Sequence, residues 1–268
     1  MKNMRFYFLI SALLVGFTTR AQYMDIEEPH RLGSEVNSEA DELFPIFSKE
    51  NSKLYYTRVN HPESVGGVYD QDIWQSQWDG KENYTKGEDF KDLNNKYNNT
   101  IVGFNNDETI VYLLNSYDGR KDMKKGISYA KKKGDTWGSP KEIFIPGLDI
   151  EGDFYGFHVN KTGDAIIISF AGPESIGEED LYVSIKENDK WSRPLHLGSK
   201  INSPGFEISP FLSKENDTLF FSTNGQGGQG DADIFYAVRN SNSWTDWSSP
   251  VNIGPQINSS KFDAYFTI

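Results

Sequence analysis

Ser48-Lys49-Glu50-Asn51-Ser52-Lys53-Leu54-Tyr55-Tyr56 returns, almost residue for residue, as Ser213-Lys214-Glu215-Asn216-Asp217-Thr218-Leu219-Phe220-Phe221. Two weaker copies lie between them, at Asn105 to Tyr112 and at Asn160 to Ile167. With Ser48, Asn105, Asn160 and Ser213 as equivalents, the steps are 57, 55 and 53 residues. So regular a spacing marks a repeated structural unit, and it takes precedence over any local reading.

Other landmarks recur in step. Gly66-Gly67-Val68-Tyr69-Asp70-Gln71-Asp72-Ile73-Trp74 aligns with Gly227-Gly228-Gln229-Gly230-Asp231-Ala232-Asp233-Ile234-Phe235. Ile176 to Tyr182 is a third copy, and Gly126-Ile127-Ser128-Tyr129 a degenerate one. Trp-(Ser/Gly)-x-Pro stands at Trp137, Trp191 and Trp247, and leads into Pro-x-x-Leu/Ile-Gly-x-x-Ile/Val-Asn at Pro194 to Asn202 and Pro250 to Asn258. The same phrase occurs at Pro29 to Asn37.

Each unit reads as four short strands, typified by Ile208 to Leu212, Thr218 to Ser222, Asp233 to Val238 and Pro250 to Ile253. Aromatic and β-branched residues fill the strands, while Gly, Pro, Asn and Asp fill the connections. In the Lys-Glu-Asn-Asp turn after Ser213, Asn and Asp tolerate left-handed geometry. No stretch after residue 21 holds a helical period over three turns. The pattern predicts an all-β fold, a β-propeller of about five four-stranded blades: four full repeats plus a shared or incomplete blade. Aligning Ile257-Asn258 with Ile201-Asn202 makes Asp263 to Ile268 a fifth innermost strand, with residues 22–28 expected to fill part of that blade.

The phrase Glu-x-x-Pro-x-x-Ser followed by Leu-(Tyr/Phe)-(Tyr/Phe), then the Gly-Gly and Asp-Ile elements, then Trp-Ser-x-Pro-x-x-Leu-Gly-x-x-Ile-Asn, resembles the WD40-like PD40 repeat. That repeat builds TolB-like propellers in bacterial envelope proteins, including Bacteroidota proteins that also carry an OmpA-type peptidoglycan-binding domain. The resemblance covers about residues 29–268 and is weakest in the second repeat, where Tyr117-Asp118-Gly119-Arg120 replaces the Gly-Gly element. It implies a periplasmic or outer-membrane-associated binding module whose partners are envelope proteins, OmpA-type or peptidoglycan-associated ones among them. No counterpart of the TolB N-terminal domain or of an OmpA-type domain is expected in this chain.

Residues 1–21 read as a secretory signal peptide: Lys2 and Arg5, an apolar run from Phe6 to Phe17, and Thr19-Arg20-Ala21 before a cut at Gln22. The run is about a dozen residues, short of the ~20 that span a bilayer. Residues 22–268 are then the propeller domain, and no later segment is apolar enough to span. Cutting leaves 24 basic residues against 39 acidic ones, a net charge of −15. That charge excludes a nucleic-acid binder, which needs a basic face. The absence of Cys excludes disulfides and thiolate chemistry.

The acidic positions of the Gly-rich loops are Asp70, Asp72, Asp180, Asp231 and Asp233, with Glu178 beside them. Clustered carboxylates suit calcium. Recurrence in several blades favours instead a scaffold role, Asp accepting backbone N–H groups in a tight turn. No cofactor is expected, because no Gly-x-Ser-x-Gly elbow, P-loop or His-Glu-x-x-His helix is present. The alternative is a carbohydrate-active propeller, sialidase-like or another glycoside hydrolase. Asp135 and Asp189 sit in incomplete Asp-box turns, but no catalytic carboxylate pair stands out. His158 and His196 read as packing residues.

Overall fold

The computed structural model describes residues 30–81, 83–117 and 123–268. The signal peptide and residues 22–28 lie outside the described residues, as does most of the Tyr117 to Arg120 phrase. Four antiparallel sheets follow one another along the chain, and no helix occurs among the described residues.

The first blade holds β1 (Asp41–Ser48), β2 (Lys53–Val59), β3 (Asp72–Gln77) and β4 (Glu88–Asp89), paired in that order. The second holds β5 (Ile101–Phe104), β6 (Ile110–Tyr117), β7 (Met123–Lys133), β8 (Thr136–Trp137) and β9 (Lys141–Glu142). β10 (Tyr155–Val159), β11 (Ala165–Phe170), β12 (Asp180–Glu187), β13 (Lys190–Trp191) and β14 (Leu195–His196) form the third. The fourth comprises β15 (Glu207–Leu212), β16 (Thr218–Thr223), β17 (Asp233–Val238) and β18 (Val251–Asn252). In blades two and three the outermost position is split into two short pieces, both paired to the third strand.

The hydrophobic core lies between the blades. Trp247, Phe221 and Phe235 of blade four close on Ile167, Leu181 and Val183 of blade three. Phe157, Ile166 and Ile168 close on Tyr112 and Ile127 of blade two. Tyr55 and Ile73 of blade one meet Phe104 and Val111. Blades two and three therefore bury both faces against neighbouring blades, and their second strands are apolar over most of their length. β11, Ala-Ile-Ile-Ile-Ser-Phe, is buried at every position.

The blades form a β-propeller of four blades with a minor fifth strand-set. Phe44 (φ 51°) in β1 and Ser209 (φ 52°) in β15 occupy the same place in the repeat, and each sheet shifts register there. Such a bulge turns the strand around the ring axis. Tyr265 (φ 63°) repeats it in the C-terminal segment, and the Tyr265 ring lies 4.3 Å from Phe44 while Phe266 lies 4.9 Å from Phe220. Asp263–Ile268 thus stands between blades four and one in the place of a fifth inner strand, anchored by the Asp263 N–H on the Ala232 carbonyl. Among the described residues it forms no regular ladder, and the preceding Phe262 makes an isolated bridge with Ala232. The phrase around Asn37 folds like its copies: the N–H groups of Val36 and Asn37, of Ile201 and Asn202, and of Ile257 and Asn258 all donate to the carbonyl of the phrase's glycine. Leu32 is 37% exposed, whereas its equivalents Leu197 and Ile253 are buried, because the fifth position lacks middle strands among the described residues.

Candidate functional site

Alternating strand direction sends the loops after each second and fourth strand to one face, here the upper face. The Gly-rich loops lie there, and a buried carboxylate organises each of them. Asp72 Oδ2 accepts the Val65 N–H at 2.6 Å, Asp180 Oδ2 the Ile176 N–H at 2.7 Å, and Asp233 Oδ2 the Gln229 N–H at 2.5 Å. One carboxylate oxygen of each of these three aspartates is taken by a backbone donor of its own loop. Asp70 accepts the N–H of Gln71, and exposed Asp231 donates its own N–H to the Lys261 carbonyl. The structure brings Asp70 and Asp72 together in one loop and keeps the pairs of different blades apart. Among the described residues, no three His, Cys, Asp or Glu groups converge as a metal site.

Among the described residues Asp72 Oδ1 is buried without a hydrogen-bond partner. Burial pushes the Asp72 pKa up to about 6, and the nearby Asp70 and Asp89 add to it. Between pH ~4 and ~6 the native carboxyl holds a proton that the unfolded chain has released, so this contribution to stability is lost as pH rises through that window. Asp72→Asn keeps an acceptor for Val65 and removes the titration. Relative to the variant, the wild type is expected to lose roughly 2–3 kcal/mol from pH 4 to pH 7, measured by urea unfolding at both values. Parallel curves for the two proteins contradict it.

A second device, legible only in the structure, ties the inner strands of blades one, two and four and the C-terminal segment to the phrase before them. Glu207 is fully buried and accepts the Ser203 N–H at 2.9 Å, the Ser203 hydroxyl at 2.5 Å and the Thr223 hydroxyl at 2.8 Å. Ser38 with Glu42, Ser259 with Asp263 and Asn95 with Asn99 repeat the same loop. In blade one Arg58 stands at the Thr223 position and pairs with Glu42 at 3.0 Å, its guanidinium 4.4 Å from the Trp74 ring. The sequence signal is an Asn/Ser four residues before a Glu, Asp or Asn.

His196 Nε2 lies 2.8 Å from Asp180 Oδ2 while its Nδ1 accepts the Gly198 N–H. Both nitrogens are spent inside the blade. His158 is different: it lies on the ring axis.

There the inner strands of all four blades and the C-terminal segment enclose a cavity of about 110 Å³. Phe44 and Ile46 come from β1, Ile101 and Val102 from β5, Phe157 and His158 from β10, Pro210 and Phe211 from β15, with Tyr265 and Phe266 closing the ring. Phe154, 74% exposed, stands at its upper mouth. Among the described residues, no carboxylate, lysine or arginine lines it. Ser169 donates to the Glu207 carbonyl, and Tyr155 donates to Asn115 with its phenol pKa pushed up to about 12 by burial. Burial, with Lys161 adding, holds His158 down at about 3, so its imidazole is neutral at pH 7. This is a largely apolar, aromatic pocket whose unengaged polar side chains among the described residues are His158, Ser209 and Tyr265.

No protein-family model matches the sequence, and no curated protein matches it. Solved structures do resemble the fold. A GH43_12 protein from a capybara gut metagenome superposes with a TM-score of 0.51 at 14% identity, over 82% of this chain and 43% of that one. An α-L-arabinofuranosidase from Podospora anserina in complex with cellotriose gives 0.50 at 12% identity, over 83% and 70%. TolB from Acinetobacter baumannii, a β-propeller, gives 0.46 at 14%, over 78% and 43%. The chain thus spans under half the length of TolB and of the GH43_12 protein. At these identities the likeness is one of fold.

Proposed function

We propose that the chain is an exported, non-catalytic propeller module of the bacterial envelope, of PD40 type, that binds through its upper face and axial pocket. One observation carries the reading: among the described residues, the axial pocket has no carboxylate in its wall. Hydrolysis of a glycosidic bond ordinarily needs two carboxyl groups flanking the bond. The acidic residues at the head of the inner strands, Glu42, Glu207 and Asp263, are committed to capping serines. Neutral His158 is a weak base at the pKa its burial imposes.

The upper face offers the contact surface. Val65, Val68, Tyr69, Phe154, Ile176 and Phe262 are exposed on its loops, and large exposed apolar side chains gathered on one face mark interaction sites. Envelope proteins, including OmpA-type and peptidoglycan-associated ones, are the partners the sequence pattern suggests. The signal-peptide pattern supports export, and no helix among the described residues is long and apolar enough to cross a membrane.

Two measurements test this. The protein recovered after expression in a bacterial host is expected to begin at Gln22 by intact mass; a mass that includes residues 1–21 contradicts export. Purified protein is expected to leave a panel of chromogenic glycosides and polysaccharides unhydrolysed. Turnover that co-purifies with the chain and falls on substitution of its acidic residues assigns it to the carbohydrate-active enzymes instead.

A further inference from the structure

We propose that the axial pocket binds a single neutral phenol-type ring, with His158 as its hydrogen-bond partner. The inference rests on the binding reading above and names the class of ligand. Size comes first: about 110 Å³ approaches the ~150 Å³ of a dry apolar cavity that holds one benzene molecule, and the mouth at Phe154 leaves room for a substituent. A sugar ring with its hydroxyls, or any nucleotide, exceeds this space and finds too few polar partners.

The walls select the chemistry. Phe44, Ile46, Val102, Phe157, Pro210 and Phe211 present ring faces and aliphatic edges, and aromatic rings pack against such walls in tilted or edge-on pairs. A charged ligand is excluded, since no ionisable partner of opposite sign lines the wall and an unpaired charge there is costly. Among the polar side chains, Ser169 and Tyr155 are already engaged, while the Ser209 and Tyr265 hydroxyls make no hydrogen bond among the described residues and border the cavity with His158. His158 makes no hydrogen bond among the described residues; its ring is 4.8 Å from Phe211 and borders the cavity. A neutral imidazole has one acceptor and one donor nitrogen, and a hydroxyl on the ligand ring donates to the first or accepts from the second, whichever faces the cavity.

Gly156 supplies the test. It lines the pocket, and a Cβ built on it meets nothing within 4 Å, so a larger residue grows into the cavity and not into a wall. Calorimetric titration of the intact protein with p-cresol, toluene and a capped Gly-Tyr-Gly peptide is the experiment. p-Cresol is expected to bind roughly tenfold more tightly than toluene, the worth of about one net hydrogen bond. Gly156→Val is expected to abolish binding of both compounds without lowering Tm. His158→Leu is expected to retain toluene and erase the preference for p-cresol. Should either variant fold poorly, nuclear Overhauser contacts from p-cresol to the Phe44 and Phe211 rings of the wild type carry the test.

The peptide arm identifies the source of the ring. Tighter binding of the tyrosine peptide than of p-cresol points to a partner's side chain, and the reverse to a free small molecule. No binding of any of the three, or affinity unchanged in Gly156→Val, overturns the inference. The module reading survives that result so long as the glycoside panel stays silent. Glycoside turnover overturns the module reading itself.

Discussion

Replacing Trp247 with alanine is expected to lower the unfolding free energy by about 3–5 kcal/mol, the range for emptying the site of a buried large aromatic. Trp247 is fully buried and packs among residues of blades three and four. Its indole N–H donates to the Trp244 carbonyl at 2.6 Å, and its own carbonyl accepts the Lys200 ammonium at 3.1 Å. Removing the side chain opens a cavity at a junction where two sheets meet, and rigid sheets collapse poorly into it. The equivalent residues Trp137 and Trp191 are only partly buried, so their alanine variants are expected to cost less than Trp247→Ala. Urea unfolding with unchanged m-value reads the loss; a change under 1 kcal/mol for Trp247→Ala contradicts the blade-packing account.

Gly177→Ala and Gly230→Ala carry the second large effect, and its cause is backbone against backbone. A Cβ on Gly177 would stand 2.1 Å from the Gly205 carbonyl oxygen, and one on Gly230 would stand 2.0 Å from that of Lys261. Gly66 meets the Lys96 carbonyl at 2.5 Å in the same way. No side-chain rotation relieves these contacts, so the loop must separate from the segment that leads into the next inner strand. Each substitution is expected to cost about 2–3 kcal/mol, at the upper end for overpacking. Amide exchange is expected to rise at Asp231 and Glu178, whose N–H groups donate to Lys261 and Gly205. Gly33→Ala, with nothing within 4 Å, serves as the control and is expected to change stability by under ~0.5 kcal/mol. Equal effects at all the glycines contradict the steric argument.

These glycines show how much of the fold the sequence carries. Their recurrence beside Asp72, Asp180 and Asp233 marks the loop, and the structure supplies the reason: a carboxylate gathers the loop's N–H groups while a glycine lets the loop lie on the next segment. The strand boundaries follow the aromatic and β-branched runs closely; Asp233–Val238 is met residue for residue. The Asn216 turn residue sits in the left-handed region at φ 59°. Blade one was harder to read, because Tyr84 pairs with Trp78 where the other blades carry the tryptophan of the Trp-x-x-Pro phrase. The ring closure was legible only as an alignment, since Asp263–Ile268 takes an inner-strand place without a ladder to match.

The pocket was not legible, for a physical reason. Its wall takes a few residues from each inner strand, at positions that share a backbone conformation but not a residue type. Phe44, Ser209 and Tyr265 occupy one such position with three different side chains. Periodicity reports what every blade needs, whereas a site on the axis is made from what differs between them. His158 carried no signal in the sequence, because its environment is assembled from strands more than fifty residues apart.

Site-specific photo-crosslinking in cells tests the central claim most directly. A photoreactive phenylalanine analogue at Phe154, on the upper face beside the pocket mouth, is expected to yield a discrete adduct with an envelope component, and the same analogue at Val238, exposed at the opposite end of the ring, is expected to yield none. Adducts from Val238 alone would place the working surface on the wrong face and contradict the account.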